Sequence, residues 1–505
     1  MKKQTIIKGT IILTIGGLIS RTLGFVNRIY LSNLIGAEGM GLYQLIFPIY
    51  MICYTVCCSG LFTAITRLTA DENGKGHSEN AKKMLVVATT ISISLAFVLM
   101  TLLFFNAKFI SVHLIHEPRI TAGLQIVSLS IPFTAVAHCI KGYFYGLNKP
   151  SLPAMTQVTE QIIRISFIFL LSSTFISKGL NYACTVAVIG MAIGEISTCI
   201  FVYIFYKAET SKIILKKASQ TYHYFTKKIT DIAIPLTANR LITTVLSSFE
   251  IILIPSQLRA FGYSHTYAMS IFGTLTGMAL PLIFFPTVVT TSASLVLLPA
   301  ISEAHAKKQK GLIKNTVSKT IKFSLLMGIV FAFFFLAFGN NLGVIIYNQT
   351  YVGTLLVTLG LLCPFLYLQT TLGSLLNGID KHLITFRNNV VGLSIRIAFI
   401  FLLIPVIGIK GYLIGLIVSL IVVSVLDIVY LVKATGLYFN VYTFIVLPVL
   451  CCIGTLSLIG IMVQIKPLPF TLRTNTLLDI GFYFLLLTPL LLLTKCIQLK
   501  DFKKT

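Results

Sequence analysis

Charge is what this sequence has least of. Of 505 residues only 11% are Asp, Glu, Lys or Arg, and the two acids together number 15. With 56% hydrophobic residues and a mean hydropathy of +0.90, that scarcity excludes a soluble globular domain, in which about a quarter of residues are charged. Metal-ligand spacing is also missing. The ten cysteines (Cys53, Cys57, Cys58, Cys139, Cys184, Cys199, Cys363, Cys451, Cys452 and Cys496) form no C-x-x-C pair, and the eight histidines no H-E-x-x-H motif. No metal or cofactor is therefore expected, and the cysteines read as small hydrophobes inside helices.

What is present is a series of apolar runs long enough to cross a bilayer core, which needs about 20 helical residues for roughly 30 Å. Fourteen are expected, at about 6–35, 42–68, 83–106, 121–146, 153–177, 181–206, 229–257, 267–302, 317–338, 353–378, 387–408, 411–433, 440–464 and 475–497. The expectation is an all-α polytopic membrane protein. Met1-Lys2-Lys3 resembles the basic start of a signal peptide, but the run behind it is too long and contains Arg21, so it reads as a retained first helix.

The net charge of +25 has a topological cause and does not call for nucleic acid. Lys2, Lys3 and Lys8; Lys75, Lys82 and Lys83; six lysines from Lys207 to Lys228; six from Lys307 to Lys322; and Lys500, Lys503 and Lys504 all fall at the termini or in every second connection. That asymmetry predicts cytoplasmic termini in the cell membrane. Some of these lysines can also hold anionic lipid headgroups. The opposite loops are nearly free of acid, with only Glu38 and Glu117. Three stretches should depart from uniform helix: 267–302, with Pro281, Pro286 and Pro299, should bend; 107–116 should lie along the outer interface; and 207–224 is a polar, basic connector.

The chain also repeats itself. Arg164-Ile165-Ser166-Phe167-Ile168-Phe169-Leu170-Leu171 returns as Arg396-Ile397-Ala398-Phe399-Ile400-Phe401-Leu402-Leu403, an offset of 232 residues. Gly146-Leu147-Asn148-Lys149 answers Gly378-Ile379-Asp380-Lys381, and Glu195 answers Asp427, at the same offset. Six spans separate the copies, so the repeats run parallel. This predicts two pseudo-symmetric six-helix lobes, 1–217 and 218–436, followed by two further helices within 437–505.

Charges inside the spans are expensive and therefore informative. Arg21 and Arg28 are seven residues apart, two helical turns, so they leave the first helix along one stripe. Two readings are open: Arg28 snorkels outward while Arg21 answers a neighbouring carboxylate, or the pair forms a cationic site for an anionic substrate. Arg240 in the seventh span reaches a depth similar to that of Arg21, and paired guanidiniums suit a pyrophosphate or carboxylate. Glu160 and Arg164, four apart, have the order that pairs best within a helix, and read as a structural ion pair. Glu250 has Leu246 and Ile254 four positions to either side. It is a candidate for binding a coupling Na+ or H+, or a buried structural acid.

Ser20-Arg21-x-Leu23-Gly24-Phe25, Gly36-Ala37-Glu38-Gly39-Met40-Gly41-Leu42-Tyr43-Gln44, Gly142-Tyr143-Phe144-Tyr145-Gly146, Gln157-x-x-Glu160-Gln161-x-x-Arg164 and Leu298-Pro299-Ala300-Ile301-Ser302-Glu303 together resemble the stage V sporulation protein B family of the MOP exporter superfamily. That superfamily also holds MurJ, the O-antigen flippases and the MATE drug exporters. The resemblance covers most of the first twelve spans. It implies alternating-access flipping of an undecaprenyl-pyrophosphate-linked saccharide for spore cortex peptidoglycan. It also implies a cavity lined by first-helix arginines, of which Arg21 matches one. Arg28 stands one residue later than the second MurJ arginine, and the arginine of the eighth MurJ helix has no equivalent between Tyr267 and Ser302; Arg240 is the candidate to replace it. A cation-coupled antiporter of small organic molecules, as in the MATE branch, calls for acids where this chain has Arg21 and Arg28. A membrane enzyme such as a polyprenyl-linked glycosyltransferase calls for catalytic acids on large outer loops, where only Glu38 and Glu117 stand.

Overall fold

The computed structural model describes residues 3–175, 179–210, 221–436, 440–465, 471–494 and 496. Among them every regular element is helical. Much of the connector expected at 207–224 lies outside the described residues, as do Met1, Lys2 and most of the C-terminal tail. Among the described residues twelve helices are long and apolar enough to cross a membrane, or thirteen if a pair bent by 59° at 360–363 counts as one span. Large apolar side chains face outward from them, among them Phe105 at 77% exposure and Leu493 at 79%. Lipid covers such surface at no cost, whereas water does not.

The first of these runs is 61 residues long, about 90 Å at helical rise and so three times the thickness of a bilayer core. It begins as α1 (Lys3–Tyr54), which is interrupted at Gly36 with φ 68° and ψ −173°. Left-handed φ with extended ψ is open to glycine alone, so the chain turns there, between the first two apolar runs of the sequence. A π-helical turn, Thr55–Ser59, leads into α2 (Gly60–Gly74). Then come α3 (Ser78–Phe109), α4 (Thr121–Gly146), α5 (Ser151–Phe175), α6 (Leu180–Thr210), α7 (Tyr222–Ala260) and α8 (His265–Gly273). The stretch 107–116 is not a separate segment: α3 continues into a π turn at Ile110–Leu114, because no glycine or proline stands there to stop it.

Two compact units result, residues 1–273 and 274–505. The first, α1 to α8, has a core in which Leu61, Ile65, Met84, Leu85 and Tyr143 pack with Phe225 and Ile229 of α7. The second contains α9 (Leu280–Phe284), α10 (Thr287–Ala306), α11 (Lys310–Tyr347), α12 (Thr350–Gly360), α13 (Cys363–Gly378), α14 (His382–Ile407), α15 (Ile409–Thr435), α16 (Leu447–Ile465) and α17 (Leu472–Leu493). The bend expected in 267–302 is present, as a π turn at Thr274–Ala279 and a break at Phe285–Pro286. The buried Tyr367 hydroxyl donates to the Ile283 carbonyl at 2.9 Å beside that break, where proline leaves carbonyls unpaired.

The 232-residue offset recurs in the backbone. Gly76 and Lys308, His116 and Asn348, and Asn148 and Asp380 all have positive φ, and they include every non-glycine residue with positive φ among those described. The closing hydrogen bonds match too: His77 N–H to Glu72 O and Gln309 N–H to Ala304 O, Glu117 N–H to Ser111 O and Gln349 N–H to Gly343 O, Lys149 N–H to Phe144 O and Lys381 N–H to Leu376 O. Three successive helix ends are thus built alike in both copies, with no insertion between them.

Candidate functional site

Arg21, Arg28, Arg240 and Glu250 all belong to the first unit. One face of α1 lies along α5. Ser20 Oγ donates to the Gln157 carbonyl at 3.3 Å, and Gly24 stands beside Gln161. At roughly 100° per residue, Arg21 and Arg28 fall within about 20° of each other and about a quarter turn from that packing face. Arg21 is exposed and Arg28 half-buried. The Tyr43 phenol lies within electrostatic reach of both Arg28 and Arg164. The helix is continuous from Arg21 to Arg28, so the two arginines lie along one stripe of α1.

Arg240 is exposed on α7, and one of its Nη atoms donates to the Ser59 carbonyl at 3.5 Å. Ser59 ends the π turn of Thr55–Ser59, whose wider winding offsets the carbonyls from their usual helical donors. The turn is fixed to α7 a second time, by the Thr55 and Thr244 hydroxyls at 3.1 Å. Ser248 Oγ donates to the carbonyl of Pro48 at 3.1 Å. Glu250, two residues on, is 4% exposed. Hence the seventh helix presents its arginine to the surface and its glutamate to the interior.

Glu160 and Arg164 form the expected pair at 2.5 Å, and the second Glu160 oxygen accepts from Thr198 at 3.5 Å. Close by is a group that the sequence showed only as a repeat match. Glu195 accepts from Tyr50 at 3.4 Å and from Thr134 at 3.3 Å. Tyr54 and His138 meet at 3.4 Å. A second unforeseen cluster joins three loops. Arg119 binds Glu117 through Nε at 2.8 Å and Nη2 at 2.9 Å, and Glu38 through Nη1 at 2.6 Å. His265 Nε2 lies 3.3 Å from Glu117, whose side chain is 1% exposed. Glu38 and Glu117 were visible as the outer-loop acids; their shared arginine was not. Among the described residues no group of three or more His, Cys, Asp or Glu side chains is disposed to hold a metal.

Guanidiniums hold anions through charge-assisted hydrogen bonds, and carboxylates inside a membrane hold protons or pair with cations. Comparison with known proteins narrows the setting. A family described as polysaccharide biosynthesis protein matches residues 6–305. Stage V sporulation protein B of Bacillus subtilis (strain 168) is 28% identical over 435 residues, covering 84% of this chain and 83% of that protein. Lipid II flippase MurJ of the same organism is 24% identical, covering 65% of this chain and 66% of that one. A solved structure of lipid II flippase MurJ in an inward closed conformation superposes with a TM-score of 0.71 at 18% identity, over 95% of this chain and 98% of the other.

Proposed function

We propose that this chain, which belongs to the polysaccharide biosynthesis protein family, is an alternating-access flippase of an undecaprenyl-pyrophosphate-linked saccharide, a peptidoglycan precursor for the spore cortex. The sporulation setting is suggested by the relative named stage V sporulation protein B, and the lipid-linked cargo by the relative named lipid II flippase. Such a protein makes and breaks no bond. Its task is to lower the cost of moving a pyrophosphate and its sugars through the bilayer core while the polyprenyl tail stays in lipid. An isolated charge in that medium costs several kcal/mol or more, and guanidiniums offset this through bidentate, charge-assisted bonds.

The observation that carries the reading is the shared stripe of Arg21 and Arg28 off the packing face of α1. Arg240 supplies a third cation, and Glu250 is the candidate for the coupling Na+ or H+. The basic termini and loops face the cytoplasm, where the precursor is loaded.

The test uses the purified full chain in vesicles, with a fluorescent undecaprenyl-pyrophosphate disaccharide whose appearance in the outer leaflet is followed with time. Arg21→Ala and Arg240→Ala should each lower the rate at least tenfold while the protein still inserts and elutes as one species. Arg21→Lys should also be poor, because a point charge lacks the fork that grips pyrophosphate. A wild-type rate in Arg21→Ala overturns the site.

A further inference from the structure

Inside the first unit α1, α4 and α6 meet at a triad for which the guanidinium site has no use. The hydroxyls of Tyr50 and Thr134 lie 3.3 Å apart, and both reach Glu195, Tyr50 at Oε1 and Thr134 at Oε2. Tyr50 is 3% exposed and Thr134 1%. Thr134 has a second acceptor, the Ser130 carbonyl at 3.0 Å. We propose that Glu195 is a proton-binding site, built so that its carboxyl is fully hydrogen-bonded in both protonation states.

A hydroxyl has one donor and two acceptor positions, and its hydrogen turns freely. With Glu195 ionised, Tyr50 and Thr134 both donate to it. When a proton from water adds to Oε2, the Thr134 hydrogen turns to the Ser130 carbonyl, and the threonine oxygen accepts the new carboxyl O–H. Tyr50 continues to donate to Oε1. No heavy atom has to move, and no buried polar group is left without a partner in either state, which would otherwise cost about 1–3 kcal/mol.

The second copy surrounds its acid differently. Tyr50 and Thr134 correspond, 232 residues on, to Leu282 and Leu366, both buried. Asp427 keeps the place of the acid, but its partner is Asn388, whose Nδ2 donates at 2.7 Å. An amide N–H has no hydrogen that can turn away and leave its atom an acceptor, so this partner does not offer the donor-to-acceptor switch that the Thr134 hydroxyl offers Glu195. At those two sequence positions the second copy carries no hydroxyl.

The groups facing Glu195 favour a proton over a metal cation. From α1 and the turn after it come Tyr50, Tyr54 and Cys58; from α4 Lys141; from α5 Glu160 and Arg164; and from α6 itself Cys199. Arg164 is engaged by Glu160, and the charge of Lys141 opposes any added cation; what separates the two is that a metal ion would also need room and several oxygen ligands. A proton needs no added volume.

The inference does not depend on the identity of the transported lipid, so its readout is infrared absorption of the full chain in lipid, cycled between acidic and alkaline buffer. All samples carry Glu250→Gln, which removes one further buried acid of the first unit; Glu72 and Glu117 stay buried in every sample, so the band is assigned by what Glu195→Gln changes. A carbonyl-stretch band of a protonated carboxylic acid should appear reversibly on acidification and be lost in Glu195→Gln. Tyr50→Phe keeps the acid and removes one hydrogen bond; the band should persist at higher wavenumber, and this variant decides the matter if Glu195→Gln does not fold. A band unchanged by both substitutions, or no reversible band, overturns the proposal.

Discussion

Arg240 and Glu250 stand ten positions apart on one helix and meet opposite surroundings, the first exposed beside the Ser59 carbonyl and the second buried at 4% exposure. A carboxylate at that depth is tolerated where something is gained by it. If Glu250 exchanges Na+ or H+ during transport, its affinity for that ion must differ between the inward-open and outward-open states, since equal affinity shifts no equilibrium. Glu250→Gln should then leave precursor binding within about twofold and abolish the acceleration produced by an imposed pH or Na+ gradient. A gradient response equal to that of the wild type would make Glu250 a buried structural acid. At this scale the sequence was legible where spacing along one helix decides the outcome: Arg21 with Arg28 on one stripe, Glu160 with Arg164 one turn apart. It showed Glu195 only as a repeat match and was silent on Tyr50 and Thr134. The three come from different helices, and only packing brings them together.

Helix order and approximate bounds could be read from the apolar runs, because a bilayer imposes length on every segment that crosses it. What could not be read is how helices end and approach one another. No proline marks the turn at Gly36 or the π turns at Thr55–Ser59 and Ile110–Leu114, and a mixed-polarity stretch such as 107–116 continues a helix as readily as it lies on an interface. Gly60 is the clearest case of an approach hidden in sequence. A Cβ there would lie 2.1 Å from Thr237 Oγ1 and 2.3 Å from the Ala233 carbonyl. The lack of a side chain lets α2 and α7 touch one residue beyond the carbonyl that receives Arg240. Gly60→Val would push the two helices apart and take the Ser59 carbonyl out of reach of Arg240. Overpacking of this kind costs about 1–3 kcal/mol, and here the obstacle includes backbone. The expected outcome is a lower melting temperature in detergent together with transport loss comparable to that of Arg240→Ala. Unchanged melting and transport in Gly60→Val would mean that the contact between α2 and α7 is looser than described.

Across the whole chain, the duplication and the distribution of lysine make separate claims. The duplication is visible as matched sequence and as matched left-handed helix ends at one offset; it says that equivalent helices of the two copies run in the same direction, but not which membrane face they start from. The lysines supply the direction, by the tendency of basic loops to stay in the cytoplasm. The expectation from them is that both termini and the loop from Lys207 to Lys228 are cytoplasmic and that the loop between α7 and α8 lies outside. The ten native cysteines are buried, so an impermeant thiol reagent should label the wild-type protein weakly, and a cysteine-free background removes what remains. In that background, cysteine at Ser211 or Ser219 should be protected in intact cells and react only after permeabilisation, whereas cysteine at Ser264 should react at once. Labelling at Ser211 in intact cells, with Ser264 protected, would reverse the orientation. It would also place the six lysines of that loop on the side from which a cytoplasmic precursor cannot be loaded, so the flippase reading would fail with it.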